Sequence, residues 1–161
     1  MKFTTKIGTV GILIGLILVA CATPIKQQTT TKSQAAQAMV VYKSPTCGCC
    51  GDWVRYAEEH GYTVTVKEMQ DMTPVKAEHS IPPTMQSCHT TLIDGYVIEG
   101  HVPIEDVERL LTERPNVAGI AVPGMPVGSP GMEVAGTEPQ PFDVMTFDTD
   151  GNTDVFSRHS Q

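Results

Sequence analysis

Three cysteines in four residues, Cys47-Gly48-Cys49-Cys50, come shortly after the apolar run Met39-Val40-Val41-Tyr42 and open what reads as a helix. That junction constrains the fold more than any other stretch, because a strand must end where a helix begins, with sulfur at the boundary. The first-turn N–H groups of a helix have no intrahelical partners, and the macrodipole places partial positive charge there. Both effects favour thiolate over thiol, and the thiolate is the form that attacks disulfides and binds soft metals.

The chain has five cysteines, and the odd one belongs to the N-terminus. Lys2 and Lys6 precede an apolar run from Ile7 to Val19, and Cys21 follows Leu18-Val19-Ala20. This run is shorter than the roughly 20 residues that cross a bilayer as a helix, so residues 1–20 read as a secretory signal. Leu-Val-Ala-Cys resembles a bacterial lipobox, in which Cys21 is lipidated and becomes the first residue of the mature chain. An ordinary signal peptide is the alternative. The expected location is the periplasm, with a lipid anchor to a bacterial membrane through Cys21. Adjacent thiols pair in that compartment unless a metal or a reductant holds them. Residues 22–37 are polar and low in complexity, a flexible tether with a reach of roughly 20 Å.

The 161 residues leave room for one domain with a real core. Acidic residues outnumber basic ones, 18 to 11, with no Lys/Arg cluster, so nucleic acid and anionic lipid surfaces are poor partners. Met39–Tyr42 reads as a buried strand and Asp52–His60 as a helix with Trp53, Val54 and Ala57 inward, stopped by Gly61. Tyr62–Val66 is a second strand, and Thr73-Pro74 starts a short helix to about His79. Thr90–Ile93 and Tyr96–Glu99 flank Asp94-Gly95, a strong hairpin signal. A third helix runs from Pro103 to about Glu113, with Ile104, Val107, Leu110 and Leu111 at helical spacing. The order β-α-β-α-β-β-α is that of a thioredoxin-like α/β fold over residues 38–115. From Asn116 to Pro141 the chain is rich in Pro and Gly, and no regular element is expected. Phe142–Phe147 and Thr153–Phe156 form a final hairpin, so residues 116–161 are expected to pack on the same domain. Asp148, Asp150, Asn152 and Asp154 alternate as in a Ca²⁺ loop, but Gly151 is misplaced and no Glu closes it, so a plain turn is the better reading.

The hairpin fixes a second group of residues. With Asp94-Gly95 as the turn, Ile93 faces Tyr96, His89 faces Gly100 and Cys88 faces His101. A slip of one register step turns His101 to the other face. In a thioredoxin-like arrangement the start of this strand abuts the first helix, so Cys47, Cys49, Cys50, Cys88, His89 and His101 converge as candidate metal ligands. Thiolates select Cu(I), Zn²⁺ or iron–sulfur chemistry. Three cysteines in four residues crowd a single tetrahedral zinc, and sharing sulfur among several Cu(I) ions suits them better. Met125 and Met132 lie in the Pro/Gly loop, a possible lid, although gap-filling is the ordinary use of methionine. The competing reading is redox, because Cys47 and Cys50 have C-x-x-C spacing, with Cys49 as a scrambling partner. A structural disulfide, for example Cys50 with Cys88, leaves Cys47 and Cys49 unexplained. Trp53 reads as core beside the site, and His60, His79 and His159 as histidines at helix ends or in the tail.

These motifs resemble those of the CopG-type family of exported bacterial proteins associated with copper resistance. The resemblance rests on Tyr42–Cys50, on Ser87-Cys88-His89-Thr90, on Asp94–Pro103, and on Pro123–Pro126 with Gly128–Met132. It covers residues 39 to about 156. It implies a thioredoxin-like fold and copper bound through the CxCC and Cys-His elements, with a redox role as a further implication. The expected cargo is Cu(I) in a multinuclear thiolate cluster. A thiol–disulfide or copper oxidoreductase using Cys47 and Cys50 as catalytic pair is the alternative. Expected partners are copper ions and other periplasmic copper-handling or redox proteins, with the membrane reached only through the anchor.

Overall fold

A computed structural model describes residues 37–160. The expected signal segment, the lipidated Cys21 and the tether up to residue 36 lie outside the described residues. Strand β1 (Ala38–Lys43) leads through α1 (Gly48–Glu59) to β2 (Thr63–Glu68). Helix α2 (Thr73–Glu78) and a 3-10 turn (Pro83–Met85) precede β3 (His89–Ile93), β4 (Tyr96–Glu99) and α3 (Ile104–Glu113). Three more strands follow: β5 (Gly119–Ala121), β6 (Phe142–Phe147) and β7 (Thr153–His159). All seven form one mixed sheet in the order β2-β1-β3-β4-β5-β6-β7, so the fold is α/β.

Local sequence accounts for most of these elements. Asp94 and Gly95 both have positive φ, 47° and 85°, as a two-residue hairpin turn requires. The register runs from Ile93 opposite Tyr96 to Thr90 opposite Glu99, as the turn dictates. Helix α1 begins at Gly48, four residues before the expected Asp52. Cys47 takes the extended N-cap conformation, φ −80° and ψ 100°, so all three cysteines sit at the cap or in the first turn. Gly61 ends the chain's exit from α1 with φ 87°.

Three expectations are corrected. The stretch from Asn116 to Pro141 does contain a regular element, β5, parallel to β4. Its first residue must be glycine, because a Cβ at Gly119 would collide with the Val97 backbone carbonyl. Three residues opening on glycine carry no periodicity that sequence can reveal. Strand β7 runs past Phe156 to His159. His159 is therefore not a tail residue: its Nε2 lies 2.7 Å from Asp106 Oδ2 on α3.

Apolar residues occupy both faces of the sheet. One cluster joins Trp53, Val54 and Ala57 of α1 and Val107 and Leu110 of α3 to Val41, Ile98 and Ile120. The other joins Ile81 and Met85 to Val97, Ala121 and Phe147. Val97 and Ile98 enter opposite clusters because successive side chains of a strand alternate between the two faces.

Strand order then decides where the chemistry falls. Strand β3 is antiparallel to its neighbours β1 and β4, and β5 is parallel to β4. The C-terminal ends of β1, β4 and β5 and the N-terminal end of β3 therefore lie at one end of the sheet. The segments leaving or entering there are Ser44–Cys50, Ser87-Cys88, Gly100-His101 and the Pro/Gly stretch after Ala121.

Candidate metal centre

The Ser44-Pro45-Thr46 turn delivers Cys47 to the helix start, with the Cys47 N–H donating to the Ser44 carbonyl at 3.1 Å. No acidic side chain occupies the first turn of α1 and no side chain caps it, so no carboxylate competes there for the free N–H groups. Cys47 and Cys50 are joined by a disulfide, and Cys49 and Cys88 are free and partly exposed. The disulfide thus lies within the trio, and Cys88 is no part of it. Cys49 Sγ is 3.5 Å from Cys47 Sγ, and Cys50 Sγ is 3.8 Å from the Cys88 carbonyl. All four sulfurs lie within 4.8 Å of one another.

Cys88 also faces two imidazoles, with His101 Nε2 at 3.0 Å and His89 Nδ1 at 3.4 Å. These three donors again lie within 4.8 Å of one another. His101 Nδ1 is 2.8 Å from the Pro130 carbonyl. A carbonyl only accepts, so Nδ1 carries the proton and Nε2 offers its lone pair towards Cys88, the tautomer that a metal-binding histidine needs. His89 is wholly buried, and its Nε2 has no hydrogen-bond partner among the described residues. Trp53 closes one side of it, with ring centroids 4.9 Å apart. The Trp53 Nε1–H in turn donates to the Val102 carbonyl at 3.0 Å.

Burial sets the protonation of these groups. The Cys88 thiol is pushed up to about 12 by desolvation first and by neighbouring Cys49 second. His89 is held well below the usual histidine range by burial, with His101, Lys76 and Lys43 adding positive charge against it. His101 is lowered by burial too, opposed by its bond to Pro130. Both rings are accordingly neutral and free to act as ligands.

One feature escaped the sequence. Glu99, at the end of β4, has no exposed surface and pairs with Lys76 of α2. Its position at a strand end reads as solvated, and the partner lies 23 residues away in sequence. The stretch after β5, the Pro/Gly loop read from sequence as a lid, runs over the helix start. A Cβ at Gly131, where φ is 80°, would sit 2.8 Å from the Trp53 nitrogen and 2.9 Å from the Cys49 carbonyl. The Ser87 hydroxyl donates to the Gly124 carbonyl at the other end of the strap. Met125 points largely to solvent, 53% exposed.

The structure thus brings all six sequence-derived candidates, Cys47, Cys49, Cys50, Cys88, His89 and His101, to one place. They form a soft donor set with two imidazoles at one side.

Residues 85–132 match a family model described as a protein of unknown function, DUF411. The chain is also similar to two solved structures titled copper resistance protein CopG. Form 2 is 42% identical with a TM-score of 0.73, covering 78% of this chain and 99% of that one. Form 1 is 41% identical with the same TM-score and coverage. No curated protein matches the chain.

Proposed function

Because the chain belongs to the CopG family of copper resistance proteins, we propose that it binds copper in copper handling or resistance. The cargo is Cu(I), more than one ion, held in a thiolate cluster by Cys47, Cys49, Cys50 and Cys88, with His89 and His101 completing the donor set. The observation that carries this reading is four sulfurs within 4.8 Å of one another, with Cys88 also shared by two neutral imidazoles. Thiolates favour Cu(I), and bridging sulfur lets several ions share few residues. The Pro130-fixed His101 ring fits a metal site better than a core. Before all four sulfurs bind, the Cys47–Cys50 bond must take two electrons and two protons from a dithiol reductant, giving two thiols.

The element order of residues 38–115, with reactive cysteines between β1 and α1, supports a thioredoxin-like reading of that part. Among the described residues no helix is long and apolar enough to cross a membrane. Membrane attachment in our reading comes from Cys21, lipidated after export, with the folded part facing the periplasm. The run Ile7–Val19 and Leu18-Val19-Ala20-Cys21 support it.

A second reading is favoured by the Cys47–Cys50 disulfide. In it the pair acts as a thiol–disulfide or copper oxidoreductase. Titration of the reduced chain with Cu(I), with and without Cys49→Ser, separates the two. Several ions per chain, with fewer or weaker ones in the variant, support the cluster. If Cys49→Ser leaves stoichiometry and affinity untouched while Cys47→Ser abolishes disulfide reduction, the oxidoreductase replaces it.

A further inference from the structure

The segment Ser87–Thr90 supplies two of the six donors, and a single carboxylate ties both of its ends. Glu99 Oε1 accepts from the Ser87 N–H at 2.7 Å and from Lys76 Nζ. Glu99 Oε2 accepts from the Thr90 hydroxyl at 2.7 Å, and Lys76 Nζ also donates to Thr90 Oγ1 at 3.2 Å. Glu99 is fully buried and Lys76 is 6% exposed, so a complete ion pair has been removed from water. Apolar side chains of similar volume stabilise a fold as well or better. The pair is better explained by what it orients. Cys88 lies between the two tied residues. With Thr90 turned towards Glu99 and Lys76, strand alternation turns His89 to the opposite face, against Trp53.

We infer that Lys76 and Glu99 are positioning residues that clamp Ser87 and Thr90, so that Cys88 Sγ and the His89 ring face the Cys47–Cys50 turn and the site reaches its full affinity for Cu(I). This rests on the copper reading above. It adds a supporting layer behind the donors, where loss of a partner weakens metal binding without removing any ligand.

Two double variants of the full chain test it without leaving a single buried charge. Lys76→Met with Glu99→Leu removes the ion pair and both acceptors. Lys76→Met with Glu99→Gln removes the charges but keeps an oxygen for the Ser87 N–H and an amide for Thr90 Oγ1. Reduced protein is titrated with Cu(I) against a colorimetric Cu(I) chelator, with thermal melts run alongside. The expected result is affinity about tenfold or more weaker for the leucine variant than for the glutamine variant. Equal affinity overturns the proposal. If the parent chain takes up no Cu(I), the copper reading fails by itself and iodoacetamide labelling of Cys88 in the metal-free, reduced variants decides the clamp. Labelling about tenfold faster in the leucine variant upholds a clamp of the size expected for such partners, and equal rates overturn it. Should the leucine variant not fold, Thr90→Val cuts one end of the clamp and leaves the ion pair intact. It is then read against the parent by the same two measurements.

Discussion

His89 combines full burial with an Nε2 that meets no protein partner among the described residues. Its ring stays neutral because burial, and then His101, Lys76 and Lys43, disfavour the imidazolium. The ordinary value in the unfolded chain is 6.5. As pH falls through that value, the unfolded chain gains a proton that the folded one refuses, so folding weakens. The stability His89 contributes is therefore complete above the unfolded value and is lost progressively below it. Urea unfolding of the reduced, metal-free chain should show a decline of up to about 1.4 kcal/mol per pH unit below that point from this group. His101 adds in the same direction. In His89→Gln the slope should flatten, and an unchanged slope contradicts the assignment.

Helix α1 and the strap after β5 hold the sulfur cluster between them. The strap contributes the Pro130 carbonyl to His101 and lays Gly131 on the first turn of α1. Gly131 is needed for two independent reasons, a left-handed φ of 80° and the absence of room for a Cβ. Gly61 shares the positive φ but faces open space, which makes it the control. Gly61→Ala should lose about 1–2 kcal/mol from backbone strain alone. Gly131→Ala should lose about 2–4 kcal/mol, since overpacking is added to that strain. Equilibrium unfolding of the two variants measures the difference, and equal losses argue that the strap does not press on α1. The same substitution should also weaken Cu(I) binding, because the strap must lift away from Cys49.

The sheet as a whole explains why one cluster exists at all. Its strand order gathers the C-terminal ends of β1, β4 and β5 and the start of β3 at one end. The opposite task, holding the sheet together away from the site, falls to the second apolar cluster. Phe147 of β6 fills that cluster with Val97 and Ala121, fully buried. Phe147→Ala should therefore cost about 3–5 kcal/mol. Any chain that remains folded should bind Cu(I) with the parental stoichiometry, since none of the six donors belongs to that cluster. A fall in stoichiometry in folded Phe147→Ala would show that the last hairpin reaches the site.

The sequence by itself determined the elements whose signals are local: the Asp94-Gly95 turn, the stripe Ile104–Leu110 and the register that sets Cys88 against His101. Such features depend on backbone periods and turn chemistry within a single helix or hairpin, so they survive without knowledge of the rest. Strand β5 and the buried Glu99 were not legible. A three-residue strand opening on Gly119 has no period, and a carboxylate at a strand end looks solvated until Lys76 arrives from another helix. Only the tertiary structure decided that the sulfurs of the two cysteine groups lie within 4.8 Å of one another. Hydrogen bonding between β1 and β3 brings Lys43 beside His89, and no short-range preference in either segment specifies that neighbour.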